Sequence, residues 1–275
     1  MLAERYLDLL AGSLLDEFYR ENEFRLIYLR RCIAGQEGFE QAVYLDIHTH
    51  PLWRQFAALN AVGRFMDDRI ENAGFANTMI GRQRLDHLRW CLNQTVGDSV
   101  PGDLMECGVW RGGAAIFMRG FLAAHGIGDR VVWAADSFQG LPKPSLPEDE
   151  GLDLSAGVYP MLAIPLDIVR DAFERYYLLD DQVRFLPGWF KDTLPGAPVE
   201  TLALLRIDAD LYESTRDVLD HMYGKVSPGG FVIVDDYHCI EQCRNAVDDF
   251  RRARAIADPL EKIDWTAVYW RKSQR

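Results

Sequence analysis

The chain has 275 residues, 48% of them hydrophobic, enough to bury one large core, and its composition is neither that of a disordered chain nor collagen-like. Its 30 basic and 42 acidic side chains leave a formal charge of −12, a field that repels phosphate backbones and anionic lipid heads and argues against nucleic acid as the main partner. No run approaches the roughly 20 apolar residues of a membrane span, the acidic start fits neither a signal nor a transit peptide, and five scattered cysteines suit a reducing cytoplasm.

The residues up to about 95 read as helices: LDLLAGSLLDEFY and LWRQFAALNAVGRFMDDRI both return apolar side chains every three to four positions. Beyond them, short apolar runs ending in Gly or Asp alternate with amphipathic stretches, the signature of βαβ units and a parallel sheet. Strands are expected at 104–109, 130–135, 183–186, 202–207 and 230–234, with a last one within 265–270. Helices are expected at 114–125, 167–177, 215–223 and 241–255. The expected division is therefore a helical region over 1–95 and an α/β domain over 96–275. Segment 141–165, rich in Pro, Gly and Asp, is long for a loop and has the character of a lid or a partly mobile segment.

The first strand runs into Glu106-Cys-Gly-Val-Trp-Arg-Gly-Gly-Ala-Ala115, a glycine-rich turn opening a helix. Such a turn either brings backbone N–H groups close to a ligand or serves tight packing. The next strand ends in Asp136, 23 positions after Gly113, where an acid is placed to accept hydrogen bonds from ribose hydroxyls. The turn departs from G-x-G-x-x-G: its glycines are Gly108, Gly112 and Gly113, and Glu106 precedes them. A carboxylate there repels a pyrophosphate and welcomes an ammonium group, which favours S-adenosylmethionine over NAD.

The fourth strand ends in Arg206-Ile-Asp-Ala-Asp-Leu-Tyr-Glu-Ser-Thr215 and the fifth in Asp235-Asp236-Tyr237, so Asp208, Asp210, Asp235 and Asp236 collect at strand C-termini, the ligand end of open α/β sheets. Their mutual repulsion calls for protonation or a hard divalent cation such as Mg2+. The alternative is that single aspartates cap the following helices, which serves for Asp210 or Asp236 alone. His238 is either a general base beside this cluster or an exposed turn residue. Gly188, Trp189 and Phe190, after the third strand, are either core or the lining of an adenine site. His48 and His50, two apart and without a third ligand, read as surface residues, and Cys239 and Cys243 as two thiols rather than a zinc site.

Six motifs then carry a resemblance. Thr78-Met-Ile-Gly-Arg-Gln-Arg-Leu-Asp86, the 106–113 turn, Asp136-Ser-Phe-Gln-Gly-Leu-Pro142, Leu186-Pro-Gly-Trp-Phe-Lys-Asp-Thr-Leu-Pro195, the 206–215 motif and Gly229-Gly-Phe-Val-Ile-Val-Asp-Asp-Tyr237 resemble, in order, the macrocin O-methyltransferase family. The resemblance spans about residues 75 to 255. It implies a class I methyltransferase fold with strand order 3-2-1-4-5-7-6, an N-terminal helical lid, and S-adenosylmethionine- and Mg-dependent methylation of a sugar hydroxyl on a macrolide or aminocoumarin-like natural product. A catechol or other phenolic diol is the alternative acceptor.

By position, the resemblance implies that Asp208, Asp235 and Asp236 bind the metal, that Asp136, with Ser137 beside it, serves the ribose, and that Glu106 with Gly108, Gly112 and Gly113 serves the methionine end. Met79, Ile80 and Gly81 would cover the cofactor, Asp208 would also touch it, and Asp210 stands where a base is proposed in related enzymes. A homo-oligomer is expected from the long apolar helices ahead of the catalytic domain.

Overall fold

Leu202–Ile207 is buried from end to end, as a continuous Leu-Ala-Leu-Leu run must be when helices cover both faces of a parallel sheet. It is the central strand, β4, of a seven-stranded sheet in the computed structural model, which describes residues 2–61 and 75–273. The other strands are β1 (Asp103–Cys107), β2 (Val132–Asp136), β3 (Val183–Pro187), β5 (Val226–Val234), β6 (Glu261–Lys262) and β7 (Val268–Arg271). Their order is β3-β2-β1-β4-β5-β7-β6, parallel except that β7 runs antiparallel to β5 and β6. This is the order the resemblance implies.

The helices are α1 (Leu2–Leu14), α2 (Arg20–Ile33), α3 (Gln41–Leu45), α4 (Pro51–Ala61), α5 (Gly81–Gly97), α6 (Gly113–Ala124), α7 (Leu166–Arg175), α8 (Phe190–Thr193), α9 (Tyr212–Met222) and α10 (Glu241–Ala253). Three departures from expectation have a local cause. α1 stops at Leu14 rather than running to 19, because Asp16 adopts φ 52° and breaks the helix. β5 begins at Val226, ahead of the Gly229-Gly230 pair, and absorbs it as a shift in its register with β4. β6 has two residues, too few to leave an alternation in sequence. The later part of the apolar repeat that begins at Leu52 falls on 62–74, outside the described residues.

Period-two alternation sorts the sheet into two faces. Leu104, Leu204, Phe231 and Ile233 point to a layer made by α1, α5, α6 and α7, with Leu7, Leu10, Leu88, Phe117 and Phe173 in one cluster. Met105, Leu205, Val232 and Val234 point to α9 and α10, against Val218, Met222, Val247 and Phe250. Packing therefore runs across residue 95: α1 and α5 belong to the main core. Helices α2 and α4 meet elsewhere, where Phe24, Phe56 and Leu59 pack with Met79. Among the described residues no helix is long and apolar enough to cross a membrane.

Candidate active site

The turn after β1 is built on close approach. Gly108 has φ 88°, and a Cβ there would lie 1.7 Å from the Asp208 carbonyl oxygen, so a side chain would push the β1 and β4 turns apart. Asp136 closes the same turn from β2, its carboxylate accepting hydrogen bonds from the backbone N–H groups of Val109 (2.8 Å), Trp110 (3.4 Å) and Phe138 (2.7 Å). Burial raises the Asp136 pKa, and these donors oppose the rise. Gly112 and Gly113 serve packing instead. A Cβ at Gly112 would meet Val169 at 2.9 Å, and the Gly113 N–H donates to the Asn77 carbonyl at 2.9 Å. The segment before α5 is thus docked on the start of α6.

An open cleft lies over these turns. Of the residues expected at a cofactor, Met79, Gly108, Asp136, Ser137, Trp189, Phe190 and Asp208 line it, together with Asp210. Ile80, Gly81, Glu106, Gly112, Gly113 and Gly188 do not. Ile80 is core, and Gly81 opens α5 at φ 70°. Gly188 extends the sheet ladder by donating to the Asp136 carbonyl at 2.9 Å. Trp189 and Phe190 do face the cleft, at the start of α8.

Beneath the cleft lies a buried ion-pair network that sequence reading missed. Arg206, 2% exposed, donates to Glu106 at 2.7 Å, to Asp208 at 3.0 Å and to Asp235 at 2.5 Å. Arg84 of α5 pairs with Asp235 and, at 3.0 Å, with Asp264. Burial pulls the Arg206 pKa down, but Asp235, Asp208 and Glu106 outweigh it and hold it above the ordinary arginine range. Glu106 is pushed up to about 8, chiefly by burial, against the pull of Arg206. The one signal for the network in sequence was an arginine inside an otherwise apolar strand.

Alternation explains who joins this network. Asp235 continues the Phe231, Ile233 face of β5, the face that α5 and Arg84 cover, whereas Asp236 continues the Val232, Val234 face. The expected metal set therefore changes: Asp235 is turned onto two arginines, and the carboxylates brought together are Asp208, Asp210 and Asp236, with oxygens within 4.8 Å of one another. Asp210 joins because its backbone lies at φ 55°, in the left-handed region, after the end of β4. Burial, then Asp208, pushes the Asp210 pKa up to about 7, and burial, then Asp210 and Asp208, drives Asp236 well above the usual range. Asp236 Oδ2 is buried without an N–H or O–H donor, and the Asp210 and Asp236 carboxyls lie close enough to share a proton. Three crowded oxygen donors with an unserved buried oxygen fit a hard divalent cation.

His238 stands apart from this cluster. Its side chain is exposed, its ring lies edge-on to Tyr237, and its pKa is lowered first by partial burial and then by Lys262 and Arg244, against an opposing pull from Asp264. The turn-residue alternative describes its position. Segment 141–165 is tied down at several points rather than loose: Leu141 bridges Ser155, the Trp110 indole N–H donates to the Met161 carbonyl at 2.9 Å, and Ser145 donates to Glu213 at 2.5 Å. His50, buried, accepts the Leu52 N–H at 3.2 Å, caps α4 and pairs with Glu37, while His48 lies on the surface between Glu21 and Asp46.

Comparison with known proteins follows the same lines. Residues 3–272 match the macrocin O-methyltransferase (TylF) family. The chain is 55% identical, over 71% of its length and 76% of the relative's, to the 8-demethyl-8-(2,3-dimethoxy-alpha-L-rhamnosyl)-tetracenomycin-C 4'-O-methyltransferase of Streptomyces olivaceus. It is 54% identical, over 72% of its length and 77% of the relative's, to the demethyldecarbamoylnovobiocin O-methyltransferase of Streptomyces niveus. It is 52% identical, over 72% of its length and 79% of the relative's, to the mycinamicin III 3''-O-methyltransferase of Micromonospora griseorubida. The solved structure of the O-methyltransferase NovP superimposes with a TM-score of 0.78 at 42% identity, covering 99% of this chain and all of that one. The chain belongs to the macrocin O-methyltransferase family and is an O-methyltransferase with the class I methyltransferase fold.

Proposed function

We propose that the protein transfers a methyl group from S-adenosylmethionine to a sugar hydroxyl of a glycosylated natural product, with Mg2+ held at the aspartate cluster. The observation that carries this reading is the placement, along one cleft, of Asp136, Trp189 and Phe190 beside the carboxylates of Asp208 and Asp210, which Asp236 joins. The relatives' sugar acceptors support the glycoside over a phenolic diol.

When bound, S-adenosylmethionine supplies an electrophilic methyl group, and Mg2+ lowers the pKa of an acceptor hydroxyl. The protein's own work is placement and proton removal. Asp208 and Asp236 hold the cation, and Asp136 takes the ribose with whatever acceptor capacity the three backbone N–H groups leave it. Trp189 and Phe190 exclude water from the methyl path. Asp210, with a pKa of about 7 when the cation is absent, takes the hydroxyl proton. Glu106 and Arg206 hold the floor rigid below the methionine end.

Residues 96–275 form the catalytic part in this reading, and the helices before them, through the Met79 contact, shape the acceptor side. Exposed Leu9, Leu26, Ile33 and Phe39 on or beside those helices support a homo-oligomer, which sedimentation would test, and five free cysteines support a cytoplasmic protein. The deciding experiment is radiolabelled methyl transfer in chelator-treated buffer with and without Mg2+, offering mycinamicin III, demethyldecarbamoylnovobiocin and a catechol. The reading expects Mg-dependent labelling of a glycoside and loss of both cation binding and turnover in Asp208→Ala. Wild-type turnover by Asp208→Ala without Mg2+ would overturn it.

A further inference from the structure

Helix α9 begins where the aspartate cluster ends, and its own sequence does not cap it. The N-cap residue is Leu211, which has no side-chain acceptor, so the first-turn N–H groups need a partner from elsewhere. That partner comes from segment 141–165. Asp149, 0% exposed, accepts the Tyr212 N–H at 2.6 Å through Oδ1 and the Glu213 N–H at 3.1 Å through Oδ2. An anion at a helix N-terminus gains from both the unpaired donors and the macrodipole, and charged acceptors make the stronger hydrogen bonds.

The contact joins two parts of the cleft. Leu141, Pro142 and Leu162 of the segment line it, and so do Glu213 and Ser214 of the capped turn and Asp210 just before it. Ser145 reinforces the same attachment through Glu213. The far end of the segment is fastened separately, to the glycine-rich turn, by the Trp110 indole on the Met161 carbonyl. One loop thus has an attachment on the Asp136 side of the cleft and another on the Asp210 side.

We propose that Asp149 is a positioning residue that latches the 141–165 wall onto the first turn of α9, so that the acceptor side of the cleft is formed before an acceptor arrives. Resting on the methyltransfer reading only for its kinetic arm, this assigns the latch to acceptor binding and leaves the nucleoside side to the Trp110 fastening. Losing the latch frees the wall without touching the groups that take the proton or hold the sheet.

The test is amide hydrogen exchange with Asp149→Ala and Asp149→Asn, alongside calorimetry with S-adenosylhomocysteine. In Asp149→Ala, exchange is expected to rise at least tenfold at Tyr212, Glu213 and across 141–165, with β1, β4 and β5 unchanged and S-adenosylhomocysteine affinity within twofold of wild type. Asp149→Asn, which keeps a carbonyl acceptor, recovers part of that protection. With the glycoside that wild type methylates, Asp149→Ala raises acceptor KM about tenfold while kcat stays within threefold. Unchanged exchange over 141–165, a uniform rise across the sheet, or a fall confined to kcat would each overturn the latch. If wild type methylates no glycoside, the functional reading fails while the exchange result still decides the latch.

Discussion

At the ends of β1 and β2 each carboxylate has a partner within the protein: Glu106 is met by Arg206, and Asp136 by three backbone N–H groups. At the ends of β4 and β5 the picture reverses. Asp235 takes two arginines, while Asp210 and Asp236 crowd against Asp208 with no cationic side chain of their own. The contrast separates carboxylates met by donors of the protein from carboxylates crowded against one another, where we propose the cation. Burial raises the pKa of acids in both sets, so the difference lies in geometry: arginines or backbone N–H groups face the first set, and in the second three carboxylates face one another.

The sharpest way to break this contrast is at Asp210. Asp210→Asn is expected to lower kcat by roughly 10²- to 10⁴-fold, the span of a positioned general base, while Mg2+ binding measured by calorimetry persists. Equal loss of both would make Asp210 a ligand only. Next comes the scaffold side: Arg206→Met leaves Glu106 and Asp235 buried without their shared cation, and urea unfolding should show a loss of about 3–5 kcal/mol. A change within experimental error would mean that the network is not what holds the strand ends together.

A pH series tests the same division without mutation. Asp210 at about 7 and Glu106 at about 8 lie above the values of an unfolded chain, so between about pH 4 and pH 8 the folded state binds more protons than the unfolded one. Stability from these groups is full below the unfolded pKa and is lost as pH rises through the folded one. In EDTA, Tm should therefore fall from pH 5 to pH 8. Added Mg2+ should remove the Asp210 part of that slope and leave the Glu106 part. The smallest effect is expected at the rim, where Lys191, half exposed, lies 3.8 Å from Glu213. Lys191→Ala should change unfolding free energy by less than about 0.5 kcal/mol, since exposed pairs are screened and pay side-chain entropy.

Much of the site could be read from the chain because its chemistry is local. Asp208, Asp210 and the 235–236 pair each follow a strand-ending run, and a parallel sheet gathers strand C-termini at one edge. Asp235 and His238 lie away from the place expected of them for one reason, that residue type and spacing do not say which way a side chain turns. Asp235 and Asp236 are adjacent, and only the parity of β5 against helix α5 sends one to Arg84 and the other to the cluster. His238, two positions beyond Asp236, lies in a turn past the end of β5, and the turn rather than the strand's alternation carries it out to solvent.

Sequence alone determined the fold class, the strand order through its family motifs, and the acidic edge, because periodicity and glycine turns are properties of neighbours along the chain. The tertiary structure decided what pairs across it. Arg206 reaches Glu106 from 100 residues away, Asn77 occupies the N–H of Gly113, and Asp149 caps a helix 63 positions further on. Such contacts depend on the register of β4 between β1 and β5 and on which helix covers which face. Those are set by burying both apolar faces of the sheet at once, a condition no short stretch of sequence expresses.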